Sequence, residues 1–174
     1  MKTRFLALIT IAALFTGCDL LEKASTVKFD TNLEADVPVV VTVPTKSTEA
    51  SIPFTKTQDL NLGENADIEP YLSKIKEIDL NSVVVTITGL NAGQTITTLS
   101  LDVTGVGNVF TQNNITMAAN SFTPTISATL LDQVAAKLVS DKKITLVLSG
   151  SVSGALTVSV NLNFDTTVTA SVLK

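Results

Sequence analysis

The chain has 174 residues, with 12 basic and 16 acidic side chains, a net charge of −4, no histidine and a single cysteine. Without histidine, the Ser-His-Asp and Cys-His mechanisms are excluded, and the usual zinc and copper sites lack their ligands. The negative charge also argues against nucleic acid as a partner, since that role needs basic patches. The abundant β-branched residues favour strands.

The first residues have the organisation of an export signal. Lys2 and Arg4 precede an apolar run, Phe5 to Phe15, that is broken only by Thr10. This run is too short to span a bilayer, which takes about 20 residues, and a cleavage-type site follows it directly. That site, Leu14-Phe15-Thr16-Gly17-Cys18, resembles the lipobox of bacterial lipoprotein precursors, with phenylalanine where leucine is usual.

The resemblance implies cleavage between Gly17 and Cys18, with a diacylglyceryl thioether on the Cys18 sulfur and an acylated amino group. Two or more acyl chains hold a protein stably on a membrane, whereas one binds marginally. Loss of Lys2 and Arg4 leaves 10 basic and 16 acidic residues, a net charge of −6. Asp19 resembles the inner-membrane retention signal of enteric bacteria, but other bacterial groups do not follow that rule. The outer membrane and the periplasmic face of the inner membrane therefore both stay open. The alternatives are an ordinary secretory signal cut elsewhere and an uncleaved anchor.

We therefore expect a signal peptide over residues 1–17, a lipidated cysteine and tether over residues 18–25, and one domain over residues 26–174. Apolar residues fall mainly on odd positions between Val27 and Val43 and on even positions between Leu156 and Val172. This period of two predicts strands with one buried face.

Proline and parity add detail to the predicted strands. Pro38, Pro44 and Pro53 predict sheet edges or strand ends, because proline lacks a ladder donor. In the strand predicted over residues 78–87, the apolar residues change from even to odd positions at Asn81 and Ser82, which predicts a bulge there.

Turn residues predict three hairpins. The first turn, Gly89 to Gly93, would join the strand over residues 78–87 to a strand over residues 95–103. The second contains Gly105 and Gly107. The third, Thr111 to Asn114, would separate two short strands.

Two short helices are predicted between these strands. One begins near Asp67, which would cap it, and has Pro70 in its first turn. The other covers residues 127–139, with Ser127 or Thr125 as its cap. The whole pattern predicts a mainly antiparallel all-β fold, an immunoglobulin-like or related β-sandwich, with a β-barrel as the alternative.

One segment carries oxygen ligands at alternate positions and is a weak calcium candidate. It departs from the EF-hand loop, because Glu64 replaces the turn glycine and Pro70 replaces the bidentate glutamate. The alternative is a polar loop that ends in a helix cap. The candidate ligands are Asp59, Asn61, Asn65, Asp67 and Glu69.

Serine and glycine patterns provide no convincing catalytic site. Two Ser-x-x-Lys segments, residues 73–76 and 140–143, lack the Ser-Asp-Asn and Lys-Thr-Gly elements that penicillin-recognising enzymes also need. Gly150 and Gly154 have the spacing of a nucleophile elbow, but its centre is Val152. We predict no catalytic residue and no cofactor.

These observations predict a non-enzymatic, lipid-anchored protein of the bacterial cell envelope with a binding or structural role. Its partners would be the membrane, through the lipid on Cys18, and an unidentified protein, but no nucleic acid. One alternative is a carrier of a small apolar ligand or lipid, which needs an apolar cavity. A weaker one is a hydrolase that uses two carboxylates.

Overall fold

The computed structural model describes residues 25–42 and 51–172, so the signal segment and the lipobox lie outside the described residues. Within them the chain forms eight strands, the helix α1 (Ala128–Asp141) and 3-10 helices at Leu62–Glu64, Glu69–Lys74 and Met117–Ala119. The strands are β1 (Thr26–Val41), β2 (Ile52–Asn61), β3 (Ile75–Thr88), β4 (Thr95–Val103), β5 (Gly107–Thr116), β6 (Ser121–Phe122), β7 (Lys143–Val152) and β8 (Leu156–Ser171).

Two four-stranded antiparallel sheets make up the sandwich, with strand orders β1-β8-β3-β6 and β2-β7-β4-β5. The first strand pairs with the last, the second with the seventh, the third with the sixth and the fourth with the fifth. The chain therefore resembles one long antiparallel ribbon that coils on itself, which is a jelly roll. The predicted β-sandwich is confirmed. The barrel alternative is wrong, because the described strands form two separate sheets with free edges.

The strand pattern in β1 and β8 is confirmed. From Leu33 to Val41, the odd positions of β1 are buried and the even positions are exposed. Pro38 lies in β1 and Pro53 in β2, and each of these strands is the edge of its sheet, as predicted. The predicted bulge is also present, as a register shift between Leu80 and Ser82. Pro44 lies outside the described residues.

Two of the three predicted hairpins are wrong. The segment after β3 crosses to the other sheet, where β4 pairs with β5 and β7. Gly89 makes this crossing feasible, since its φ is +91° and a Cβ there would lie 2.8 Å from the carbonyl oxygen of Thr157. Thr111 to Asn114 is not a turn but part of β5, with Asn114 in the left-handed region at a φ of +55°. The turn at Gly105 does join β4 to β5.

The first predicted helix is a short 3-10 helix, and Asp67 does not cap it. Its N-cap residue is Ile68, and no side chain caps it. Asn65 instead holds the turn before the helix, because its Oδ1 accepts hydrogen bonds from the backbone N–H groups of Asp67 (3.0 Å) and Ile68 (3.1 Å). The second prediction is confirmed: α1 starts after Ser127, whose Oγ accepts a hydrogen bond from the N–H of Leu130.

The core lies between the sheets as one continuous cluster of buried apolar side chains that includes Phe164. The helix α1 adds Val134, Ala135 and Leu138 and packs against β3 and β7, so it bridges the two sheets. None of the helices in the described part of the chain is both long and apolar enough to cross a membrane.

Candidate functional site

A groove of about 600 Å³ lies between the edge strands β1 and β2. It is formed by residues 31–36, 58–61 and 64–67, which include most of the predicted calcium ligands. Since β1 and β2 belong to different sheets, the groove marks one open side of the sandwich. Its lining contains no basic residue and five acidic ones: Glu34, Asp36, Asp59, Glu64 and Asp67.

Four of these carboxylates accept hydrogen bonds from neutral side chains. The donors are side-chain amides or a hydroxyl, so the carboxylates are oriented without being neutralised. The lining of the groove therefore combines oriented acidic side chains with no basic one. The bonds are Asn163 to Glu34 (3.1 Å), Asn161 to Asp36 (3.0 Å), Asn61 to Glu64 (3.3 Å) and Thr31 to Asp67 (2.9 Å).

Asp59 is the exception, because it is paired with a cation. Its carboxylate accepts a hydrogen bond from the Thr145 hydroxyl at 2.8 Å and a charged one from Lys143 Nζ at 3.1 Å. Both donors stabilise the ionised form, so the pKa of Asp59 lies below its ordinary value of 3.8, chiefly through Thr145 and then through Lys143. All three side chains project from the neighbouring strands β2 and β7.

The Asp59→Asn substitution is expected to remove a small, pH-dependent contribution to stability. When the pKa of a carboxyl group is lower in the folded state than in the unfolded state, the ionised group stabilises the fold at pH values above the unfolded pKa. This contribution is lost as the pH falls through the folded pKa. Thermal unfolding of the wild type and the variant should therefore differ slightly at pH 7 and converge below pH 3.8. A difference that stays constant down to strongly acidic pH would contradict this account.

Four of the five predicted calcium ligands accept hydrogen bonds from the protein itself. Asp59, Asn61, Asn65 and Asp67 line the groove, whereas Glu69 lies outside it in the first turn of a 3-10 helix. Across residues 25–42 and 51–172, no group of three or more acidic residues is placed to hold a metal ion. The geometry favours the alternative of a polar loop, and calcium binding stays an unsupported prediction.

Adding calcium is therefore expected to leave the melting temperature of the protein unchanged relative to EDTA. A ligand that binds only the folded state raises that temperature, so differential scanning fluorimetry in both buffers tests the point. The matched control is Asp67→Asn, which should melt alike in both. A rise with calcium in the wild type that this variant abolishes would restore the calcium site.

Among the described residues, neither the Ser-x-x-Lys segment at residues 140–143 nor the glycine spacing around Val152 places its side chains as a catalytic site would. The Ser140 hydroxyl donates to Asp141 at 2.8 Å, while Lys143 pairs with Asp59. Val152, at the centre of the glycine spacing, is fully buried at the end of β7. The sequence did not identify Asn161 and Asn163 as partners of the groove carboxylates. Their odd positions in β8, where the apolar residues are even, indicate only that they face outward.

No protein-family model and no curated protein matches the chain. Among solved structures it is similar to a crystal structure of decameric BFDV capsid protein, with 10% identity, a TM-score of 0.42, and coverage of 82% of this chain and 99% of that chain. It is also similar to a structure of Desmodium yellow mottle tymovirus, with 9% identity, a TM-score of 0.39, and coverage of 85% and 91%. At such TM-scores this likeness carries nothing about function.

Proposed function

We propose that this protein is a non-enzymatic lipoprotein of the bacterial cell envelope, in which the lipid on Cys18 holds a jelly-roll domain at the membrane surface for a binding or structural role. The observation that carries the proposal is the lipobox-like segment over residues 14–18, directly after an apolar run of signal-peptide length.

The start of the sandwich fits a short tether. The described domain begins at Ser25, whose carbonyl accepts a hydrogen bond from the N–H of Val172 at 2.7 Å. From Cys18 to Ser25 an extended chain reaches at most about 25 Å. A lipid on Cys18 would therefore keep the domain close to the bilayer, with the Ser25 end nearest to it.

The absence of catalytic machinery in the sequence supports a non-enzymatic role. The chain has no histidine and no cysteine besides Cys18, and its Ser-x-x-Lys segment at residues 140–143 directs both side chains to aspartates. The carrier alternative gains no support, because the buried side chains between the sheets form one continuous cluster and the groove between β1 and β2 is lined mainly by polar residues.

Cell fractionation tests the proposed location. The full chain, expressed in a Gram-negative bacterium, should stay with the membranes after a carbonate wash and enter the detergent phase on partition with Triton X-114. Periplasmic protein released by osmotic shock would show an ordinary secreted protein, and recovery from the cytosol would contradict export altogether.

A further inference from the structure

The four edge strands of the sandwich differ in how they are protected against pairing with another chain. Exposed sheet edges offer free backbone donors and acceptors, and proteins usually block them with charges, prolines or very short strands. Two edges, β1 and β2, carry such charges and prolines, and β6 has only two residues. The protecting residues are Lys28, Asp30, Glu34, Asp36 and Pro38 in β1, and Pro53, Lys56 and Asp59 in β2.

The remaining edge strand, β5, has none of these features, and its one bulge, beside Val109, lies near its start. It has 10 residues and contains neither a proline nor a charged residue. Within its sheet it pairs only with β4, and no residue of the described chain forms a backbone hydrogen bond with its other edge. The surrounding sequence is uncharged as well, since no acidic or basic residue occurs from Val103 to Leu131.

Two irregularities limit where another strand could pair with β5. The register shifts opposite Leu101 and Asp102, next to Val109, and Asn114 has a φ of +55°. Between them, residues 110–113 form a regular ladder with β4. Thr111 and Asn113 are exposed in this segment, and Gln112 lies between them.

We propose that β5 pairs with β5 of a second copy of this chain, antiparallel and around a two-fold axis beside Gln112. Antiparallel strands exchange their hydrogen bonds reciprocally, and a two-fold contact brings the same surface of both copies together. Each copy would carry a net charge of −6 after the loss of the signal that the proposed function implies. Identical charged edges would then repel, whereas this uncharged edge does not. The pairing extends the β2-β7-β4-β5 sheet into a continuous eight-stranded sheet across two copies.

Disulfide trapping of the full chain in membranes tests this pairing. A two-fold axis at Gln112 places Thr111 opposite Asn113 of the second copy, and directly opposite strand residues are close enough for a disulfide. The double variant Thr111→Cys with Asn113→Cys should give a band of twice the monomer mass under oxidation. The matched control, Thr55→Cys with Thr57→Cys, places thiols on the opposite edge of the same sheet and should stay monomeric.

Sedimentation of the detergent-solubilised full chain gives the second measurement. Glutamate at both Thr111 and Asn113 places like charges face to face, so the sedimenting mass should halve, whereas glutamate at Thr55 and Thr57 should leave the dimer intact. Circular dichroism checks that all variants are folded. The proposal is overturned by equal trapping of both cysteine pairs, by a monomeric wild type without trapping, or by trapping only to a different protein.

Discussion

Replacing Gly150 by alanine is expected to lower the free energy of unfolding by about 3 kcal/mol, at the upper end of the usual overpacking range. Gly150 lies in β7, between β2 and β4. An alanine Cβ there would clash with the carbonyl oxygen of Thr98 and lie 2.9 Å from Cζ of Phe54. Because β7 is paired on both sides, relief of the clash requires a shift in one of two ladders or in the buried Phe54 ring.

Gly154 provides the matched control for this substitution. A Cβ at Gly154 would meet no atom within 4 Å, so Gly154→Ala should change the unfolding free energy by less than about 0.5 kcal/mol. Urea denaturation monitored by circular dichroism measures both variants. If Gly150→Ala proved as stable as Gly154→Ala, the close contact between β7 and its neighbours would be wrong. Because both glycines belong to the same elbow-like spacing, a difference between the two variants would reflect packing at Gly150 and not the spacing itself.

Replacing Cys18 by serine is expected to abolish lipid attachment. Cys18 is the only thiol of the chain, and a serine hydroxyl cannot form the thioether that the lipobox resemblance implies. Cells grown with an alkynyl fatty acid should label the wild type and leave the Cys18→Ser variant unlabelled. The conservative variant Thr16→Ser, within the same segment, should keep its label. Continued labelling of Cys18→Ser would place the acyl chain elsewhere and remove the proposed anchor.

The parts of the fold that could be predicted are the strands and the helix that have one face buried in the core and the other exposed to solvent. The alternation of apolar and polar residues in β1 and β8 is long enough to specify both strands. Pro38 and Pro53 identify edge strands because proline has no backbone N–H to donate to a neighbouring strand. Leu130, Val134 and Leu138 have helical spacing and predict α1 from the same kind of evidence. These signals are local, so a single sequence contains them.

Connectivity between the sheets could not be predicted in this way. Turn residues show that the chain reverses, but the segment at Gly89 leads into the other sheet rather than into a hairpin. Asn113 and Asn114 are typical turn residues, yet they continue β5 because asparagine tolerates the left-handed region. At Gly89 the outcome depends on strands distant in sequence, whereas at Asn113 and Asn114 it depends on pairing with the neighbouring strand β4.

The side-chain contacts of the groove could not be predicted from the sequence either. Glu34 and Asn163, or Asp59 and Thr145, meet only through strand register, and nothing in the sequence specifies that register over such separations. The spacing of Asp59 to Glu69 predicts a ligand set. In the fold, Asp67 binds a partner in β1, Asp59 binds one in β7, and Asn61 binds Glu64 in the loop itself. Pairing between strands thus decides the chemistry of the groove.

Mass spectrometry of the amino-terminal peptide, from protein extracted out of native membranes, tests the central claim most directly. The account predicts a chain that starts at Cys18 and carries the added mass of a diacylglyceryl group and an amide-linked acyl chain. A free thiol on that residue, or a first residue further along the sequence, would contradict it.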